Sequence, residues 1–259
     1  MKKFLIINLF LAIIVIVIII IIVKIFKKYI DNYENIELSS NLTSQDIINL
    51  KKGQKKMSNL LKELDRICKK YNLKYWCTGG TLIGILRHKG WVPWDGDIDI
   101  GMLKDDHDIL ETVIQKELPK NMWFQNKKTD KRFKNPGLSK IRDINSHYKY
   151  AKWATNWDLY MGLQLDIFTF VKKENILKPI FPCNDVKDID YNMIFPLKEK
   201  IFDNIKVYIP NDFINYSKKA WGDYPPPMPD IDKRYPHEGI LEPNKASEKM
   251  KNTYPHLYV

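Results

Sequence analysis

Three aspartates, Asp95, Asp97 and Asp99, stand at alternate positions in the stretch Pro93-Trp-Asp-Gly-Asp-Ile-Asp-Ile-Gly-Met102. Like charges this close repel one another, and burial beside apolar residues raises the cost. A bound cation would remove both penalties. In an extended strand alternate side chains share a face. Asp97 and Asp99 then point one way, and Ile98 and Ile100 point the other, into a core. Two carboxylates completed by phosphate oxygens and waters make a hard-oxygen site suited to Mg2+, with Mn2+ as an alternative. Asp95 has the same parity, but Pro93 and Gly96 place it in the loop leading into the strand, as a third metal ligand or an orienting group.

Upstream, Gly79-Gly80-Thr81 stand between an expected strand and an expected helix. Glycines there let backbone come close to a ligand, and a helix N-terminus offers free N–H groups to an anion. Downstream, Leu163-Gln-Leu-Asp166-Ile-Phe-Thr169 alternates, with Leu165 and Ile167 inward and Asp166 on the opposite face. Asp166 could complete the metal shell or act as general base. A glycine turn, two carboxylates on the next strand and a third on a later strand is the arrangement of the nucleotidyltransferase fold. His237 and Glu238 also invite a metal reading, but nothing pairs with them at ligand spacing.

These residues need a frame. Residues 44 to 71 place Ile47, Leu50, Met57, Leu60, Leu61, Leu64, Ile67 and Cys68 at helical intervals, with Ser44 as N-cap and Gly53 as a weak point. A short strand is expected at Lys74 to Cys77, and another from near Asp97 to Met102. A helix from Asp105 or Asp106 to Leu118 follows. Further strands are expected at Met122–Gln125, Leu138–Arg142, Leu163–Phe170 and Ile205–Ile209, and a helix after Asn211. The prolines of Tyr224-Pro-Pro-Pro-Met-Pro229 enforce an extended loop. Strands and helices without strict alternation predict an α+β fold with a mixed sheet flanked by helices.

Residues 4–23 carry no charge and one polar side chain, Asn8. Twenty helical residues match a bilayer core of about 30 Å. The run ends in Val-Lys-Ile-Phe-Lys-Lys28 rather than in the small residues of a cleavage site, which predicts an uncleaved anchor. Three segments result: an anchor with basic flanks at 1–28, a polar stem at 29–43 and a catalytic domain at 44–259. Lysines flank both ends of the span, so the positive-inside rule does not orient it; a type II single-pass arrangement, lumenal or extracytoplasmic, is preferred. The formal charge of +11 suits acidic lipid surfaces or phosphate-bearing substrates. With no RNA-reading signature or dense basic arm, nucleic acid is excluded as a partner. Three cysteines without CxxC spacing argue against a disulfide framework or structural zinc.

The block Thr78-Gly-Gly-Thr-Leu-Ile-Gly-Ile-Leu-Arg-His-Lys-Gly-Trp-Val-Pro-Trp-Asp-Gly-Asp-Ile-Asp-Ile-Gly-Met102 resembles the signature of the LicD family. That family includes phosphocholine transferases of bacterial surface glycans and fukutin-related ribitol-phosphate transferases. Lys140-Ile-Arg-Asp143 and Gln164-Leu-Asp-Ile-Phe168 resemble its next blocks. Phe195-Pro-Leu197, Ile209-Pro210 and Trp221-Gly-Asp-Tyr-Pro-Pro226 resemble its closing segment. Two departures are Gly96, where the family usually carries another acid, and Trp221-Gly222 in place of a usual Tyr-Gly. The resemblance implies transfer of a phospho-alcohol, of the phosphocholine or ribitol-phosphate type, from a CDP-linked donor to a hydroxyl of a glycan or glycolipid acceptor, with release of CMP. In such a site Asp97, Asp99 and Asp166 would be catalytic, and Arg87, His88, Lys140 and Arg142 could hold phosphate oxygens. Trp91 and Trp94 could stack on a base or line the cleft mouth. Each has an ordinary alternative: helix capping for Arg87 and His88, a solvated strand face for Lys140 and Arg142, packing for the tryptophans. Two other functions fit parts of the pattern. One is an Asp-x-Asp type II glycosyltransferase using a sugar nucleotide, and the other is an inactive glycan- or nucleotide-binding module.

Overall fold

The computed structural model describes residues 14–21, 38–150, 162–181, 188–224 and 226–258. The chain divides into two units, Met1–Glu37 and Leu38–Val259. In the first, residues 14–21 form helix α1, whose Ile and Val side chains are exposed. No helix among the described residues is long and apolar enough to cross a membrane. The rest of the expected 4–23 span, its lysine flanks and most of the 29–43 stem lie outside the described residues.

The second unit opens with helix α2 (Ser44–Lys70). Its N-cap is Thr43, one residue before the expected Ser44. The Thr43 hydroxyl accepts from the Asp46 N–H at 3.2 Å, and the Asp46 carboxylate accepts from the Thr43 N–H at 3.0 Å. This reciprocal box satisfies two amides at the helix start, which a cap at Ser44 would have missed. Leu60, Leu61 and Leu64 are fully buried, each contributing about 1.5–3 kcal/mol. Gly53 costs α2 about 1 kcal/mol against alanine, yet it has a packing role. A Cβ there would stand 2.3 Å from Leu241 Cδ2 and 3.3 Å from Leu163 Cδ1.

The strands are β1 (Tyr75–Cys77), β2 (Ile98–Leu103), β3 (Met122–Gln125), β4 (Leu138–Asp143), β5 (His147–Tyr150), β6 (Gln164–Lys173), β7 (Ile176–Pro179), β8 (Ile189–Asp190), β9 (Lys198–Phe202), β10 (Ile205–Ile209) and β11 (Gly239–Glu242). Seven form one sheet in the order β1-β2-β6-β4-β3, with β7 on the far part of β6 and β8 on β7. Among the described residues only the β2–β6 pair is parallel; the other pairs in this sheet are antiparallel. The sheet is therefore mixed, as expected. Helices α3 (Gly79–Ile83), α4 (Lys104–Glu117), α5 (Tyr191–Ile194), α6 (Phe213–Trp221) and α7 (Glu248–Thr253) fill the connections. A π-helical turn, Gly84–His88, extends α3.

The core gathers Ile98, Ile100, Ile141, Leu165 and Ile167 from three adjacent strands with the apolar face of α2. β9 and β10 form a hairpin through Asp203 and Asn204, both at positive φ; this is type I′ geometry, which Asp and Asn tolerate. β11 pairs with β5 and packs on α2, tying the C-terminal segment to the sheet domain. Cys68 and Cys77 are buried free thiols; Cys183 lies outside the described residues.

Candidate functional site

The centre of the site is the parallel β2–β6 pair. Its register sets Asp99 beside Asp166, with Ile98 beside Leu165 and Ile100 beside Ile167. The isoleucines are wholly buried, so the period of two sends the carboxylates to the opposite face, as the sequence predicted. Asp97, Asp99 and Asp166 offer carboxylate oxygens all within 4.8 Å of one another.

Neighbouring groups fix these acids. Lys140, opposite Asp166 on β4, places its Nζ 2.6 Å from both Asp166 oxygens. Gln164 Nε2 donates to Asp97 Oδ2 at 3.2 Å and to Asp166 Oδ2 at 3.4 Å. Asp95 sits in the approach loop, where its Oδ1 accepts from the Gly96 N–H at 3.1 Å. Gln54 of α2 braces that loop by donating to the carbonyls of Val92 at 3.2 Å and Asp95 at 3.0 Å. Tyr148 closes the other side. Its hydroxyl donates to the Gly96 carbonyl at 2.6 Å and accepts from the Gln164 N–H at 3.3 Å.

The glycine turn lies directly against the acids. Gly79 has φ +52°, and a Cβ on it would lie 2.2 Å from Asp99 Oδ2; a Cβ on Gly80 would lie 2.2 Å from Asp95 Oδ2. The two glycines therefore make room for carboxylates in this structure. Thr81 is buried, and its hydroxyl accepts from the Asp99 N–H at 2.9 Å. It locks β2 to α3.

The electrostatics are those of an acidic cluster in which burial and like charge dominate. Burial, followed by the charge of Asp166, pushes Asp97 up to about 6, against the opposing pull of Lys140, Gln164 and Arg142. Burial and then Asp97 hold Asp95 well above the carboxylate range. Burial, then Asp97, Asp166 and Asp95, do the same to Asp99. Carboxyl groups arranged to cling to protons are ones that a divalent cation would relieve. The donor set, hard oxygens alone, fits Mg2+ or Mn2+.

The expected phosphate-binding groups are placed otherwise. Arg142 is 2% exposed. Its guanidinium donates to Gln125 Oε1 at 2.8 Å, the Gly162 carbonyl at 2.7 Å and Gln164 Oε1 at 2.5 Å, so it braces Gln164. Lys140 is committed to Asp166. Arg87 is half-buried and donates to the carbonyls of Pro226 and Pro227, with Met228 Sδ at 3.5 Å, which ties it to the proline-rich loop. His88 is buried, and burial with the nearby Arg87 charge lowers its pKa to about 4; a ring that is neutral at pH 7 is no cationic phosphate clamp. Trp94 is 6% exposed, edge-on to His88 at 6.1 Å and under Arg234 at 5.7 Å, so neither face is open to a base. Trp91 packs on Phe202 at 5.3 Å and donates to Ser58 Oγ at 2.9 Å.

The sequence left Glu238 without a partner, and the structure sets it against Gly96 in the loop that leads to the acids. Glu238 feels the charges of Asp97, Asp95 and Asp166, and its Oε2 lies 2.3 Å from the place of a Cβ on Gly96. His237, next to it, is exposed against Tyr235. A second gathering, His107, Asp108 and Glu111 on α4, is internally satisfied: His107 pairs with Ser139, and Glu111 accepts from Asn126 and Lys128.

Comparison with known proteins adds a lineage to this geometry. Residues 72–212 match the family model described as LicD/FKTN/FKRP, nucleotidyltransferase domain. A protein of Rickettsia typhi, uncharacterized protein RT0683, is 32% identical over 169 residues, covering 64% of this chain and 46% of that protein. The lipopolysaccharide cholinephosphotransferase LicD of Haemophilus influenzae is 29% identical over 135 residues, 52% of this chain and 49% of that enzyme. The human ribitol 5-phosphate transferase FKRP is 44% identical over 34 residues, 13% of this chain and 7% of that enzyme. The chain spans about half the length of the curated relatives it matches.

Proposed function

The chain belongs to the LicD/FKTN/FKRP nucleotidyltransferase-domain family, and from that premise we propose that it is a Mg2+-dependent phospho-alcohol transferase. It takes a phosphocholine- or ribitol-phosphate-type group from a CDP-linked donor, passes it to a hydroxyl of a glycan or glycolipid, and releases CMP. Cholinephosphotransferase and ribitol 5-phosphate transferase are the activities named for two relatives. The observation that carries the reading is the convergence of Asp97, Asp99 and Asp166, with oxygens within 4.8 Å of one another.

Asp97, Asp99 and Asp166 would hold the ion, with Asp95 at the rim. When bound, Mg2+ would neutralise the diphosphate and the charge developing on the transferred phosphoryl group. The chain's own residues do the positioning. Lys140 grips both oxygens of Asp166, which suits that acid to orienting the ion more than to taking a proton. Gln164 spans Asp97 and Asp166, and Arg142 and Tyr148 hold Gln164 in turn. Gln54 and Tyr148 keep the 92–96 loop against the pocket.

We place the enzyme at a membrane through residues 4–23, whose uncharged run suits a bilayer; retention in carbonate-washed membranes supports this, and release into the wash contradicts it. The activity is tested by incubating the purified chain and Mg2+ with CDP-choline, CDP-ribitol and a set of sugar nucleotides, and identifying the nucleotide product. CMP from a CDP-alcohol is the expected product. A nucleoside diphosphate from a sugar nucleotide, with no CMP, would point instead to glycosyl transfer.

A further inference from the structure

A groove of about 600 Å3 lies between α2 and the β9–β10 hairpin, with Trp91 as part of a third wall. Its charge is opposite to that of the acid cluster. Lys51, Lys55 and Lys62 line it from one face of α2, and Lys206 lines it from β10. Lys206 pairs with Glu199 at 2.9 Å. Lys51, Lys55 and Lys62 are exposed and make no ion pair among the described residues. Like charges one turn apart on a helix repel, and an anion in the groove would relieve that. The two acids of the lining are turned to other partners. Asp65 accepts from Lys69 at 2.6 Å and from the Tyr75 hydroxyl at 3.1 Å, and Asp203 accepts from Ser58 at 2.5 Å.

The groove is also held in shape. Ser58 is buried and joins all three walls: on α2 itself, its hydroxyl accepts from Trp91 Nε1 at 2.9 Å and donates to Asp203 of the hairpin. Gln54, also in the lining, spends its amide on the carbonyls of Val92 and Asp95, in the loop that runs into Asp97. A site ordered before its ligand arrives loses less on binding. Trp91 brings an aromatic ring, and Asn59 and Asn204 bring exposed amides that both donate and accept. A ring with amides suits the faces and hydroxyls of a sugar, and lysines suit phosphate. The volume is that of a small-ligand site. We propose that this groove binds the saccharide acceptor and that the acceptor carries phosphate groups; the inference rests on the transferase reading above. The donor's diphosphate belongs with the ion at the acids, and a bilayer would meet lysines on a convex face, not across a concavity from a hairpin.

The test is titration calorimetry of the full chain in a non-ionic detergent with EDTA, so that no metal contributes. The probes are pentamannose 6-phosphate, unphosphorylated pentamannose and inorganic phosphate. The phosphorylated saccharide is expected to bind about tenfold more tightly than either of the others. Lys51→Gln/Lys55→Gln/Lys62→Gln should weaken it by about tenfold. Lys116→Gln/Lys120→Gln/Lys131→Gln removes the same charge from exposed residues outside the groove and should leave it unchanged. Equal effects of the two triple variants, or equal binding of the three probes, overturns the proposal. So does displacement of the phosphorylated saccharide by phosphatidylglycerol added to the micelles, which would make the lysines a lipid-facing surface. CMP release from CDP-choline with Mg2+ is scored apart: its absence overturns the transferase reading, and the acceptor role with it, whatever the calorimetry.

Discussion

At the scale of single residues, the site is a contest between desolvation and charge. Burial and mutual repulsion raise Asp97 to about 6 and Asp95, Asp99 and Glu238 well above their ordinary values. A carboxyl group with a raised folded-state pKa adds stability below its unfolded value, near 4, and loses it as pH rises through the folded value. Metal-free protein is therefore expected to lose melting temperature as pH rises from about 4, with the share carried by Asp97 gone by about pH 6 and the shares of Asp95, Asp99 and Glu238 lost at higher pH. Mg2+ should restore it at pH 8 and do little at pH 5. Thermal melts with EDTA and with Mg2+ at both pH values check this; a flat metal-free profile, or equal Mg2+ effects at both, would contradict it. Parity made Asp97, Asp99 and Asp166 legible in the sequence, because a strand's period of two is a local rule. Glu238 was not legible, because its approach depends on an empty Cβ position at Gly96 and on the β5–β11 pairing. The surroundings of Arg142 were not legible for a related reason. An arginine that shares a strand face with a lysine gives no sign that its neighbours will be Gln125 and Gln164.

At the scale of elements, the turn between β1 and α3 is the part most constrained by the site. Gly79 combines φ +52° with a carboxylate oxygen 2.2 Å from its missing Cβ. An alanine there meets a left-handed backbone, at about 1–2 kcal/mol, and pushes Asp99 out of the cluster. Gly79→Ala should lower stability by about that amount and weaken Mn2+ binding more than Gly90→Ala. At Gly90 the nearest atom to a new Cβ is the Asp203 amide nitrogen at 3.9 Å, so that control should keep wild-type affinity. Denaturant melts and Mn2+ titrations of the pair would reveal equal effects if the turn were only a connector. The five strands along the main path of the sheet, and β10, were readable, whereas β5, β7, β8, β9 and β11 were not expected. β3 and β10 occupy the expected residues, and β2, β4, β6 and α4 differ at their ends by a residue or a few. The start of α2 moved to a Thr43 cap because Asp46 completes the box, a side-chain pairing that hydrophobic spacing does not encode.

At the scale of the whole molecule, the matched region 72–212 holds β1 to β10 and the three central acids, but not all of the support. Gln54 on α2 braces the acidic loop, and Leu241 on β11 nests over Gly53. The C-terminal segment adds Glu238 and docks Met250 and Tyr254 on Trp123 and Ile144. The site thus draws on α2, the central sheet and the C-terminal segment, with its three acids at the junction of β2 and β6. The most direct measurement is the anomalous difference density of Mn2+ in crystals of the chain. A peak bonded to carboxylate oxygens of Asp97, Asp99 and Asp166 is expected, and it should be lost in Asp99→Asn crystals. Saturating Mn2+ with no peak among those three acids would contradict it.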